Sequence, residues 1–211
     1  RKDVVVFLPN GSRFVLWRGT SYVPFWAGKN NTALSYEWAE TSALLAPGFV
    51  DSVEPLMDKE LRYGRVEIIE STAARVHVRW GYESTDFNYK VWGDYAVEDF
   101  YFYPDGFGTR VLTIQSSHGN YEVSEFIILT PQAAYPLEWL PRHLVDVIFL
   151  DGEKRQVLFP AAGATSQNRG ESGLGKPRDI PAVFRVRLHK DEAANAIYFH
   201  TSDTNLPPVT F

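Results

Sequence analysis

The densest chemistry in this chain lies in Trp17-Arg18-Gly19-Thr20-Ser21-Tyr22, followed closely by Trp26. A guanidinium pairs bidentately with carboxylates, and indole faces stack on the apolar faces of sugar rings. Trp17 and Trp26 are therefore candidate stacking platforms, Arg18 a candidate carboxylate holder and Tyr22 a candidate proton carrier. A second group, Arg62-Tyr63-Gly64-Arg65 with His77 and Arg79, offers the same services. β-Elimination of a uronate sugar needs its carboxylate neutralised, its C5 proton removed and the leaving oxygen protonated. Arginine performs the first task, and tyrosine or histidine the other two. Arg18 and Arg62 are the candidates for the first role, and Tyr22, Tyr63 and His77 for the others. The packing alternative has the aromatics capping one end of a sandwich, with Arg18 paired to an internal carboxylate such as Glu37 or Glu54.

Acidic residues form two further groups. Glu37 and Glu40 flank Trp38, which makes Glu37 and Trp38 candidate substrate contacts. Glycoside hydrolysis requires two carboxyl groups roughly 5–9.5 Å apart. Glu37 and Glu40 would share a face only on a helix. Asp94, Glu98 and Asp99 are hard oxygen ligands of the kind calcium takes, but their spacing is not that of an EF-hand, so no metal is assigned. His118, His143, His189 and His200 lack metal-ligand spacing, and no Gly-x-Ser-x-Gly elbow is present.

These side chains must be positioned by strands. Val4–Leu8, Pro9-Asn10-Gly11-Ser12 and Arg13–Trp17 form a hairpin, because Asn-Gly supplies the positive φ of a tight turn. The same grammar recurs around Asp105-Gly106 and Asp151-Gly152. Val76, Val78 and Trp80 alternate with Arg75, His77 and Arg79, which predicts an apolar and a polar face on one strand. Helical periodicity is weak: Tyr36–Leu45 is the best short-helix segment, and its start reads equally well as extended. The expected fold is all-β, an antiparallel β-sandwich with few short helices, formed by residues 1–211 as a single domain. Pro160–Pro181 is rich in glycine and polar residues and reads as a mobile surface loop, with a ligand-facing loop as the alternative.

Composition narrows the partners. A formal net charge of -5 disfavours a nucleic-acid backbone, and no apolar run is long enough for a membrane helix. With no cysteine, thiolate metal sites and cysteine nucleophiles are excluded. Opening at Arg1, the chain reads as a mature or excised part of a larger protein, whose further domains would be partners.

Several segments carry a resemblance. Phe14–Pro24, Glu54–Lys59 with Arg62–Glu70, and Tyr103–Arg110 resemble parts of large, poorly characterised bacterial proteins associated with polysaccharide degradation. The strand-rich pattern is also similar to the sandwiches of polysaccharide lyases and galactose-mutarotase-like domains. The resemblance implies an acidic polysaccharide as partner and a secreted or periplasmic location. It transfers no catalytic residue. The leading expectation is a domain that acts on or binds uronate-containing polysaccharide, by β-elimination if it is catalytic. A non-catalytic sugar-binding or structural domain and a glycoside hydrolase are the alternatives. Trp17, Arg18, Tyr22 and Trp26 are expected to share one cleft or sheet face near Arg62 or Tyr63.

Overall fold

The computed structural model describes residues 1–28, 31–36, 38–42, 44–50, 53–123, 126–131, 135–158, 180–190 and 195–200. Strands account for 52% of these residues, and the only α-helix among them is the single turn α1 (Pro136–Trp139). Among the described residues of the Tyr36–Leu45 segment there is no helix, and Glu40–Thr41 is a short strand; Pro160–Pro181 lies almost wholly outside the described residues.

Two compact units divide the chain, residues 1–29 with 35–127 and residues 30–34 with 128–211. In the first unit, β1 (Val4–Phe7), β2 (Arg13–Leu16) and β3 (Pro24–Ala27) pair antiparallel in sequence order. That sheet continues through β4 (Ala33–Tyr36) to β11 (Phe126–Leu129), two strands that carry the division between the units. A second sheet has the order of β6 (Arg65–Ser71), β7 (Val76–Thr85), β8 (Val91–Phe102) and β9 (Gly108–Ser116). Short strands β5 (Glu40–Thr41) and β10 (Tyr121–Glu122) form a separate pair.

Period-two alternation builds the core between the sheets. Val78, Trp80 and Tyr82 of β7 and Ala96, Phe100 and Phe102 of β8 turn inward. Phe14 of β2 meets Phe100 and Phe102 with ring centroids 4.8 Å apart, so the two sheets pack face to face. Removing a fully buried ring such as Phe14 costs about 3–5 kcal/mol. The antiparallel sandwich expected from the sequence is thus present. The second unit contributes β12 (His143–Phe149), β13 (Lys154–Leu158), β14 (Ala182–Arg187) and β15 (Asn195–His200), in the sheet order β13-β12-β14-β15.

Candidate functional site

The first candidate cluster follows β2. A 3-10 turn at Arg18–Thr20 reverses the chain, and Ser21 and Tyr22 then take positive φ values of 55° and 68°. Trp17 folds its indole over Gly19, where an added Cβ would lie 2.4 Å from the ring. The indole remains 49% exposed. Arg18 donates from Nε to Asp3 Oδ1 at 2.9 Å and from Nη1 to the Arg1 carbonyl at 3.0 Å. The Arg18 backbone N–H also binds Asp3, and these bonds hold the Asp3 carboxyl below its ordinary value. Tyr22 is buried and its hydroxyl donates to the Lys2 carbonyl at 3.0 Å, with burial raising its pKa.

The second cluster is a loop organised by one buried carboxylate. Asp58 accepts the backbone N–H of Arg62 at 2.7 Å, of Tyr63 at 2.8 Å and of Gly64 at 2.9 Å. Arg65 closes the same loop from the other side, donating to the carbonyls of Leu61, Arg62 and Gly64. Charge-assisted bonds of this kind are the strong ones, so the loop is a rigid mount. It presents Arg62, whose Nε and Nη2 lie 2.9 and 2.8 Å from Glu60 Oε2. Below the guanidinium, at 4.0 Å, lies the centre of the Tyr89 ring. The Tyr63 hydroxyl donates to the Tyr89 carbonyl at 2.9 Å, tying the loop to the β7–β8 hairpin.

Arg1 joins the two clusters. Its carbonyl accepts from Arg18, and its own Nη1 donates to the Glu60 carbonyl at 3.3 Å. Ser21 Oγ donates to the Leu56 carbonyl at 3.1 Å, a second tie between the same segments. Trp17, Arg18, Arg62 and Tyr63 therefore share one surface of the first unit, with Tyr22 buried beneath it. Arg1, Arg18 and Arg62 meet there with Asp3 and Glu60. The side chains of Arg18 and Arg62 are 51% and 49% exposed, so each guanidinium still faces water.

Other sequence candidates are placed elsewhere. Trp26 packs edge-on against Phe14 and Phe102, with centroids 5.1 and 5.7 Å away, and belongs to the core's margin rather than to this surface. Trp38 is buried and donates from Nε1 to Glu54 Oε2 at 2.9 Å. Glu37 lies outside the described residues. His77 stands at the far end of its sheet: Arg65 pairs with Gly81, while His77 pairs with Glu70. Four positions along a strand separate them by about 13 Å.

His77 was expected on a polar, solvated face, but it is buried. Its ring stacks on Tyr101 at 4.2 Å, and Nε2 lies 2.5 Å from Asp99 Oδ1. Arg79 binds the same carboxylate through Nε and Nη2. Burial would raise the Asp99 carboxyl, yet the bonds from Arg79 and His77 hold it below its ordinary value. Asp94, Glu98 and Asp99 all lie in β8. Glu98 is fully buried and receives Arg110 at 2.6 and 2.8 Å together with the Tyr82 hydroxyl at 2.8 Å.

Sequence reasoning missed Tyr89, and also Trp92, which carries Lys90 Nζ 3.4 Å from its ring centre and Phe49 against its edge. Chain contacts across a hairpin leave no short motif. The chain matches no family model, and no significant similarity to a curated protein or a solved structure is found.

Proposed function

We propose that the first unit binds acidic, uronate-containing polysaccharide on the surface shared by Trp17, Arg18, Arg62 and Tyr89. The observation that carries this reading is the placement of two half-exposed guanidinium groups beside an exposed tryptophan. A sugar ring would stack on Trp17, while neighbouring carboxylates would meet the arginines. Among the described residues the nearby tyrosines are committed elsewhere: Tyr22 donates to the Lys2 carbonyl and Tyr63 to the Tyr89 carbonyl. The raised pKa of Tyr22 also opposes its use as a base. Binding therefore fits this surface better than β-elimination, and a carrier domain of a larger secreted enzyme is the natural setting.

Affinity electrophoresis against polygalacturonate and its methyl ester tests the reading. Retardation by the free acid, weakened by salt and lost with the ester, is expected, since exposed charge pairs are screened within about 8–10 Å at such ionic strengths. Equal retardation by both polymers, or none by either, would contradict it. Ultraviolet absorbance of the same mixtures reports β-elimination, and no rise is expected from this surface.

A further inference from the structure

Four hairpins of this protein close with one hydrogen-bond pattern, in which the residue before a three-residue turn exchanges backbone bonds with the third turn residue and the one after it. Leu8 pairs this way with Gly11 and Ser12 at 2.9 and 3.0 Å, and Tyr103 with Gly106 and Phe107 at 3.1 and 3.0 Å. Phe149 does so with Gly152 and Glu153, both at 2.9 Å, and Asp86 with Tyr89 and Lys90 at 2.9 and 3.1 Å. The third turn residue must adopt positive φ, the role usually given to glycine. Gly11, Gly106 and Gly152 fill it at 83°, 90° and 91°, but the fourth turn places Tyr89 there at 64°. A bulky aromatic is disfavoured in that conformation, and such outliers persist where the surroundings over-determine them.

The turn itself has no use for the ring. Asp86 holds it, accepting the backbone N–H groups of Asn88 at 2.8 Å and Lys90 at 3.1 Å and the Trp92 indole N–H at 3.2 Å. What the ring touches is Arg62, stacked face-on at 4.0 Å. Glu60 occupies the Nε–Nη2 edge of that guanidinium. Nη1 has no hydrogen-bond partner among the described residues, so the Nη1–Nη2 edge can take a second carboxylate end-on. We infer that Tyr89 is a positioning residue for anion recognition, fixing the plane of Arg62 so that this edge is offered to the carboxylate of a bound uronate. Glu60 neutralises the arginine in the unliganded protein without blocking the recognition edge. The inference rests on the polysaccharide-binding reading above.

Tyr89→Gly and Tyr89→Phe separate positioning from structure. Each variant is measured for its Tm, for the Arg62 Nε–H resonance, and for affinity toward a galacturonate trisaccharide. Tyr89→Gly should keep or raise the Tm, because the strained φ is relieved. Its Arg62 Nε–H should lose the upfield ring-current shift, and its affinity should fall about fivefold, the scale of one exposed cation–π contact. Tyr89→Phe retains the ring and should match the wild type in all three. A large drop in Tm with unchanged affinity would make Tyr89 a structural residue and overturn the inference. Unchanged affinity after the resonance has moved would also overturn it. Failure of the wild type to bind the trisaccharide is a distinct result, which overturns the polysaccharide reading itself and the uronate role of Tyr89 with it.

Discussion

The turns at 9–11, 104–106 and 150–152 and the turn at 87–89 share their hydrogen bonds and differ in what stands at the positive-φ position. The first three place glycine there, and the side-chain amide or carboxylate of the middle residue accepts the backbone N–H two residues on, as Asn10 does from Ser12, Asp105 from Phe107 and Asp151 from Glu153. They stabilise a hairpin with little strain and present no functional group. The fourth accepts the steric penalty of a left-handed tyrosine, about 1–2 kcal/mol, for a stacking contact worth about 0.5–1 kcal/mol at an exposed site. The contact alone does not offset the strain. Asp86 does, through three bonds to a buried carboxylate, each on a scale of about 1.5–3 kcal/mol. A turn that needs such an anchor to hold one ring in place is organised around that ring.

Removal of the Asp86 anchor should have the largest effect. Asp86→Ala should destabilise the protein by about 3 kcal/mol, since it removes a buried carboxylate that accepts three part-buried donors, as read from urea unfolding. A loss below about 1 kcal/mol would mean that the hairpin is held by its strands alone. Gly152→Ala probes a glycine turn. An added Cβ there meets nothing within 4 Å, so the full effect is backbone strain at φ 91°, about 1 kcal/mol. A neutral result would remove the strain argument from Tyr89 as well. The smallest effect is on the acid limb. Burial raises the Asp86 carboxyl but the bonds from Lys90, Asn88 and Trp92 lower it further, so its folded pKa lies below the ordinary 3.8. The stability it contributes is therefore present above pH 3.8 and is lost as pH falls through the lower folded value. The gap between the wild type and Asp86→Ala should narrow in that window, and a gap that widened toward acid pH would contradict the assigned role.

The glycine turns were legible in the sequence because Asn-Gly and Asp-Gly encode the conformation locally. The turn at Asp86-Phe87-Asn88-Tyr89 was not, because its conformation is imposed by Asp86 and carries no glycine. For the same reason Arg62 and Tyr63 stood out as chemistry while Tyr89, 26 residues from Tyr63 and brought to it by strand pairing, did not. Alternation in β7 identified Val78 and Trp80 as core, yet it assigned His77 to solvent because cover by Tyr101 depends on the neighbouring strand. Trp26 and Trp38 looked like platforms by residue type. Their packing against Phe14 and pairing with Glu54 are long-range facts that no local pattern encodes.

If Arg18 and Arg62 form one carboxylate-binding surface, both must respond to the same ligand. Titration of the protein with galacturonate trisaccharide, followed on the arginine Nε–H resonances, tests it most directly. The prediction is that Arg18 and Arg62 shift together with one dissociation constant, that Arg79, which belongs to the His77–Asp99 cluster and not to this surface, stays still, and that Arg62→Ala abolishes the Arg18 shift at the same ligand concentration. Shifts confined to Arg79 or to residues of the second unit, with Arg18 and Arg62 silent, would contradict it.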